Sequence, residues 1–508
     1  MSSLANQRTP SLSCRALLLA CQGNSSSEVT ELRMGVSSTR PSLKMTTTTS
    51  APSPSVPSRR RNCASSPGSR RLPTPFLFSL LVAILTAGGH AADPNPERIS
   101  EVTVILQAAI LSMEKEHPRN ALFSPFTVLK SLIALRDASS GAAREELNGL
   151  LGNPGRLLRL FHLDSCDAWP HVCEANGIFL TDSVGDDEAA HYFRRRCWTE
   201  LGVDVRFLDF ENSPQTALSI INQFVWRWTG GEFHHLLTSA DISEQTEIAV
   251  VNGLYFNAPW ESPFHTERLR QHFRPLSGRN SWAPPQLVTF MQQIVPDAHF
   301  PYLLTSEMRA LRLPYSRSNL FLYIFMPRNF FKFHEELVQS PGVLESLVDQ
   351  MLQAHRQRRS GTGNHPPVNL RYFLPEFLLS EGAQVDVRAA LQYLGITTLF
   401  SESHGNKRLL ANLRVSSFKH AAQVSVGLLG TLSRTGRLRR SLPIIPLRRS
   451  RLLTLIFDGP FIFQIRYHPE FLPGQQEHTV ALPDIPRNGI TLLSGHVLDA
   501  LAAQQRFR

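Results

Sequence analysis

The sequence predicts an α+β fold in one large domain, and three observations support this. Apolar residues recur at helical spacing in several segments, among them RISEVTVILQAAILSMEKEH. Other segments, such as EIAVVNGLYF, are continuous apolar runs, as in strands buried on both faces. Helices and strands interleave without the regular spacing of βαβ units, and there is no internal repeat.

The predicted elements follow one another from about Asp93 onwards. NALFSPFTVLKSLIAL predicts a short strand, a turn at Ser124-Pro125 and a helix. ALSIINQFVWRWTGGEF predicts a helix that ends at Gly230-Gly231, because glycine accepts the left-handed conformation that closes a helix. LRLPY, NLFLYIFMP and VNLRYFLPEF predict strands, and DVRAALQYLG predicts a helix. Further strands are predicted at PFIFQIRYH, TVALP and ITLLSGHVL.

The region before this domain has a different composition. Residues 1–72 are rich in Ser, Thr, Pro and Arg, which predicts a low-complexity disordered leader. Residues 73–92 contain the apolar run PFLFSLLVAIL, with Arg70 and Arg71 before it and Ala91 and Ala92 after it. This pattern predicts a signal peptide, with an uncleaved signal anchor as the alternative. Residues 93–508 are then the single folded domain, and the chain is predicted to be secreted.

Charge and cysteine content limit the function classes. The net charge is +10, and arginine clusters favour polyanions or, more simply, form solvated helix and loop faces. Three cysteines follow the leader, an odd number that is unlike a disulfide framework. Cys166 and Cys173 can pair, or could join His162 and His171 at zinc, although their spacing is not that of a familiar zinc site. We expect no metal and no nucleic-acid partner.

The chain carries no recognisable catalytic motif. It lacks a G-x-S-x-G elbow, a P-loop, a G-x-G-x-x-G after a strand and an H-E-x-x-H. Scattered Ser, His and Asp residues do not by themselves make a catalytic triad. The sequence therefore predicts a protein that is not an enzyme and needs no cofactor.

Several segments, taken in their order along the chain, resemble the serpin family. The segment VVNGLYFNAPWESPF is similar to the family's most diagnostic stretch. The resemblance covers about residues 95 to 500 and is carried by the following pieces: NALFSPFTVLKSLIAL, VVNGLYFNAPWESPF, LRLPY with FMP, LPEF, LGITTLF, FKHAAQVSV and GPFIFQIR.

The resemblance implies a fold and a mechanism. The fold would have three β-sheets, about eight or nine helices and an exposed reactive loop between FKHAAQVSV and PFIFQIR. The function would be inhibition of an extracellular serine endopeptidase by a monomeric, secreted chain. The protease cuts the loop and forms an acyl-enzyme, and the loop then inserts into the main sheet as an extra strand.

The resemblance also assigns residues to the path of insertion. Ser124, Thr127, Asn252 and His420 match the polar shutter positions where the central strands part. Such side chains can exchange hydrogen bonds between two arrangements, although a static buried polar cluster has the same composition.

The hinge of the loop matches the family in part. Gly430 and Thr431 match its opening, and Ser433 and Thr435 continue the hinge with small side chains. Two acids usually precede this glycine in inhibitory members, but Leu428 and Leu429 stand there instead.

Strand alternation raises an obstacle to insertion. If Thr431 faces the core, then Arg437 and Arg439 face it too. Burying an ion costs several kcal/mol unless it is paired. Insertion could stop near Thr435, or the arginines could reach the sheet's end or find acidic partners.

The position of the reactive bond has two readings. Counting from the hinge glycine gives Ile444–Ile445, which suits an elastase-like or chymotrypsin-like protease. Counting back from Pro460 allows Arg449–Ser450, which suits a trypsin-like one.

Two other functions remain open alongside inhibition. In a non-inhibitory serpin, the loop would be a protease substrate or a binding element without trapping. In a polyanion-binding protein, the basic loop itself would be the functional element, and its arginines could bind glycosaminoglycan.

Overall fold

The computed structural model describes residues 95–114, 117–153, 171–185, 187–265, 267–278, 281–296, 299–316, 318–360, 368–380, 384–401, 413–431, 451–468 and 486–504. All of them belong to one compact unit. Among the helices so described, none combines the length and apolar character that a membrane crossing requires.

The described part contains nine α-helices. They are α1 (Glu97–Met113), α2 (Pro125–Ala138), α3 (Gly141–Leu151), α4 (Glu188–Leu201), α5 (Pro214–Trp228), α6 (Phe330–Gln339), α7 (Val343–Ser360), α8 (Val387–Tyr393) and α9 (Ala500–Gln504). The basic runs at 194–196 and 356–359 lie on α4 and α7, so both belong to helices rather than to loops.

Eighteen strands accompany them. They are β1 (Ala121–Phe123), β2 (His171–Thr181), β3 (Asp204–Leu208), β4 (Ile248–Pro259), β5 (Leu269–Phe273), β6 (Leu276–Gly278), β7 (Ser281–Trp282), β8 (Gln286–Pro296), β9 (Tyr302–Leu304), β10 (Met308–Pro314), β11 (Leu320–Pro327), β12 (Val368–Pro375), β13 (Phe377–Leu379), β14 (Val415–Gly427), β15 (Gly430–Thr431), β16 (Arg451–Ile456), β17 (Phe461–Tyr467) and β18 (Ile490–Val497).

The strands form three large sheets and one small hairpin. The main sheet has the order β13-β14-β15-β4-β2-β3, and the second sheet has the order β1-β18-β17-β11-β10-β9. The third sheet is β16-β12-β8-β5, and β6 pairs with β7 alone. The α+β prediction, the three large sheets and the predicted number of helices are confirmed.

The core lies mainly beneath the main sheet. Alternate residues of β4, such as Val250, Leu254 and Phe256, join the largest apolar cluster, while Ala249 and Val251 pack on the opposite face with α5. Because β4 is buried on both faces, its sequence is apolar without alternation, as predicted. The one polar exception in the middle of the strand is Asn252.

Candidate functional site

The candidate site is the seam between β4 and β14 in the main sheet. These strands pair in parallel from Val415 opposite Ile248 up to Gln423 opposite Tyr255. Above this point β15 lies between them, antiparallel to both. The seam is therefore closed along most of its length and held open at the top by a two-residue strand.

Gly430 fits this position because it has no side chain. Its φ is 152°, and a Cβ placed on it would lie 2.3 Å from the carbonyl oxygen of Ala258 and 2.5 Å from Cα of Pro259. Backbone atoms cannot give way as a flexible side chain would, and this conformation is strained for an L-residue. The close approach of β15 to β4 therefore depends on glycine at 430.

Thr431 is held inside the molecule by an aromatic group. It is completely buried, and its Oγ1 lies 2.7 Å from the hydroxyl of Tyr315. The Tyr315 ring stacks on Trp260 with centroids 4.6 Å apart and an interplanar angle of 14°. The Trp260 indole in turn donates to the carbonyl of Gly427 at 2.9 Å. These contacts fix the start of the loop at the top of the seam.

The two leucines that replace the family's acids are anchored through their backbone. The carbonyl of Leu429 accepts from the amide of Trp260 at 3.0 Å, and that of Leu428 accepts from the amide of Phe264 at 2.9 Å. The side chain of Leu428 also packs against the main core. The turn between β14 and β15 is thereby attached to the segment that follows β4.

The four shutter residues meet beneath the closed part of the seam. The backbone N–H of Ser124 donates to Nε2 of His420 on β14 at 2.9 Å, and its Oγ donates to the carbonyl of Leu492 at 2.7 Å. Ser124 also caps α2 by accepting from the amide of Thr127. On the other side, Nδ2 of Asn252 donates to the carbonyl of Thr127 at 3.2 Å. The start of α2 thus bridges both strands of the seam.

His420 of β14 and Asn252 of β4 form one cross-strand pair of the seam, the His420–Asn252 row, and this row carries two unused polar atoms. His420 and Asn252 face each other in the register of the two strands. Among the described residues, Nδ1 of His420 and Oδ1 of Asn252 have no hydrogen-bond partner. Since Nε2 accepts from Ser124, the neutral ring carries its proton on Nδ1, so one orphan is a donor and the other an acceptor. Such an unused donor and acceptor suit a seam whose side chains change their hydrogen-bond partners when a strand enters.

Burial lowers the pKa of His420 to about 3, from an ordinary value of 6.5. In the unfolded chain the imidazole binds a proton below about pH 6.5, whereas in the folded chain it stays neutral. We expect this group to lower stability by about 1.4 kcal/mol per pH unit between about pH 6 and pH 4. Urea unfolding should show that His420→Gln loses this part of the pH dependence, while replacement of the exposed His272 retains it. Identical slopes for wild type and His420→Gln would contradict the expectation.

The cluster extends to residues that were not predicted from the sequence. Nδ2 of Asn252 also lies 2.8 Å from Oγ of Ser131 and 3.0 Å from Oδ1 of Asn176, so its two N–H groups are shared among three acceptors. Beside them Lys130 of α2 forms an ion pair with Glu174 of β2. The sequence does contain a signal for the ion pair: Lys130 is a charged residue inside the apolar segment FTVLKSLIAL, and Glu174 is one inside VCEANGIFL.

The structure does not describe all of the predicted residues. Ser433, Thr435, both candidate reactive bonds (Ile444–Ile445 and Arg449–Ser450) and the predicted strand TVALP lie outside the described residues, as does Cys166. Cys173 is buried on β2 and disulfide-bonded, and its pairing with Cys166 stays a prediction. Within the described ranges, no cluster of His, Cys, Asp or Glu has an arrangement that could hold a metal ion.

The described residues thus form a main sheet with a polar seam and a short loop strand at its top. Comparison with known proteins identifies the family that has this architecture. Residues 105–472 match the family model described as Serpin (serine protease inhibitor). This chain belongs to the serpin family.

Individual relatives are distant in sequence. Serpin-Z1C of Triticum aestivum is 24% identical over 423 residues, which is 78% of this chain and 94% of that protein. Plasminogen activator inhibitor 1 of Sus scrofa is 25% identical over 368 residues, covering 69% of this chain and 84% of that one.

Among solved structures, Arabidopsis AtSerpin1 in its native stressed conformation aligns with a TM-score of 0.61 at 19% identity, over 81% of this chain and all of that one. Native protease nexin-1 with heparin aligns with a TM-score of 0.59 at 21% identity, over 80% of this chain and all of that one. The serpin fold predicted from the sequence is confirmed.

Proposed function

We propose that this chain is a secreted inhibitor of an extracellular serine endopeptidase that acts by loop cleavage and insertion into the main sheet. The observation that carries the proposal is β15: Gly430 and Thr431 already stand between β4 and β14. A cleaved loop would continue the strand that these two residues begin. The signal sequence predicted at residues 73–92 supports secretion, and we propose that the chain acts as a monomer.

The polar shutter supports the same proposal. Insertion separates β4 from β14, which exposes every side chain along the seam to a new neighbour. Ser124, Asn252 and His420 can exchange hydrogen bonds, and the orphan atoms of the His420–Asn252 row leave capacity for the incoming strand. An entirely apolar seam would give an incoming strand no such contacts.

A second candidate function is a serpin whose loop is cut without trapping, and the register at the hinge favours it. Thr431 faces Val426 on β14 and Ala258 on β4. Continued along both strands, this register brings Arg437 to the His420–Asn252 row. Glu174 of β2 lies on the same face of the sheet, opposite Leu254, and it already pairs with Lys130. Full insertion would thus bury a cation without a free partner.

The loop and its surroundings suggest the partners. The Ile444–Ile445 bond would attract an elastase-like or chymotrypsin-like protease, and Arg449–Ser450 a trypsin-like one. Arg451 at the start of β16 is exposed, and together with the loop arginines it could hold a glycosaminoglycan, as protease nexin-1 was solved with heparin. Such binding would be accessory to inhibition.

One experiment separates the two candidates. The purified chain is incubated with a trypsin-like, an elastase-like and a chymotrypsin-like protease, and the products are run on denaturing gels. We expect a covalent complex with one of them and release of a C-terminal peptide whose mass locates the reactive bond. Cleavage without a complex and without a gain in thermal stability would reject trapping and favour the second candidate.

A further inference from the structure

We propose that the ion pair between Lys130 and Glu174 is a positioning element that resists opening of the seam between β4 and β14. The inference rests on the proposed function, because opening of this seam matters only if a strand enters it. It adds two residues to the shutter and predicts that charge, not only neutral hydrogen bonds, controls the rate of insertion.

The pair is buried and well formed. Nζ of Lys130 donates to both carboxylate oxygens of Glu174, at 2.7 and 2.9 Å. The Lys130 side chain is 0% exposed and that of Glu174 is 10% exposed. The ammonium also lies 4.3 Å from the centre of the Phe126 ring, a cation–π contact. Glu174 additionally accepts from Nδ2 of Asn176 at 3.2 Å, so the pair belongs to the polar cluster.

The pair joins two parts of the molecule that must move apart. The beginning of α2 is fixed to the second sheet, because β1 pairs with β18 and is separated from α2 by Ser124 alone. Ser124 strengthens this attachment through the carbonyl of Leu492 and through His420 of β14. The helix therefore stays with β18 and β14 when the seam opens.

The opposite side of the seam is a unit of its own. β2 and β4 pair along their length, from His171 opposite Asn257 to Leu180 opposite Ile248. A new strand would displace this unit from β14 by about 4.8 Å, the spacing between neighbouring strands. A hydrogen bond cannot stretch that far. The links between α2 and the β2–β4 unit must therefore break or be exchanged.

Those links are of unequal strength. Asn252 contributes neutral hydrogen bonds to Thr127 and Ser131, which an incoming strand can replace. The Lys130–Glu174 contact is a charge pair in the core, and separating it takes the opposite charge away from each of two buried groups. Breaking a buried ion pair costs more than breaking a neutral hydrogen bond. The ion pair is therefore expected to oppose the movement more than either hydrogen bond of Asn252 does.

The test uses the full chain with the double substitution Lys130→Met and Glu174→Leu. Apolar side chains of similar volume often replace a buried ion pair without loss of stability, so the fold should be retained. Amide hydrogen exchange is followed at residues 420–423 of β14 and 253–255 of β4, with β17 and β18 as internal references. We expect exchange along the seam to accelerate by about tenfold or more, which corresponds to about 1.4 kcal/mol or more. Exchange in the reference strands should stay unchanged.

The charge-reversed variant Lys130→Glu with Glu174→Lys should restore slow exchange, because the two opposite charges are paired again. If the two side chains only filled space, reversing their charges would not be required to slow exchange. A matched control replaces another buried pair, Arg466 with Glu345, which joins β17 to α7. It should change exchange at β17 but not along the seam. Seam exchange in the Met–Leu variant equal to that of wild type would overturn the proposal.

A second readout keeps this proposal distinct from the proposed function. After proteolytic cleavage of the loop, the rate at which thermal stability rises is measured in wild type and in the Met–Leu variant. A faster rise in the variant supports the proposal. If wild type gains no stability after cleavage, the proposed function fails, whereas the exchange experiment on the intact chain still decides whether the ion pair holds the seam closed.

Discussion

Replacing Gly430 with alanine is expected to abolish most of the inhibition that we propose and to turn the chain into a protease substrate. The added methyl group would lie 2.3 Å from the carbonyl oxygen of Ala258, at a φ of 152°. Strain of this kind costs about 1 to 3 kcal/mol, before the clash with β4 is added. The first pairing of the inserted strand with β4 would be lost. The yield of covalent complex should therefore fall by about tenfold or more.

Gly342 provides the matched control, because a Cβ built there meets no atom within 4 Å. Gly342→Ala should form the complex as wild type does. Gly430→Ala should also change tryptophan fluorescence, since expulsion of the hinge breaks the Thr431–Tyr315 contact beside Trp260. A normal yield of complex from Gly430→Ala would show that β15 is not the start of the inserted strand.

The fold was largely predictable because its elements depend on local patterns. The continuous apolar run of β4 predicts a buried strand, and the helical spacing of apolar residues after Ser124 predicts the helix α2. Helices with mixed surfaces were harder to detect. α4 and α7 carry arginine runs, which on their own are equally compatible with a solvated loop and with a helix face, so only the buried residues of these segments indicate a helix.

The candidate site was predictable only where a residue has one evident role. Gly430 and the shutter residues were identified because they match a family pattern, whereas the close backbone approach at Gly430 became visible only in the structure. The Tyr315–Thr431 contact joins residues more than a hundred positions apart, and no local pattern encodes it. The same holds for Lys130 and Glu174: each is unusual in its own segment, but only the fold shows that they are partners.

The clearest test of the trapping mechanism concerns Arg437 and Arg439. Thr431 already points into the core, so the register is set before the loop is cut. Arg437 and Arg439 lie outside the described residues, but if an inserted loop kept that register, Arg437 would lie between His420 and Asn252, and Arg439 between Phe418 and Val250. Both positions are on the face of the main core. Each unpaired cation would oppose insertion by several kcal/mol.

Replacing both arginines with alanine should therefore increase the gain in thermal stability on cleavage and raise the ratio of covalent complex to cleaved product. Arg194→Ala with Arg195→Ala is the control, because it removes the same charge from an exposed face of α4, outside the loop sequence. If wild type and the Arg437–Arg439 variant gain stability equally, the inserted strand does not keep the register that Gly430 and Thr431 set. If only the variant forms a complex, the arginines are the reason that the natural loop is cut without trapping its protease.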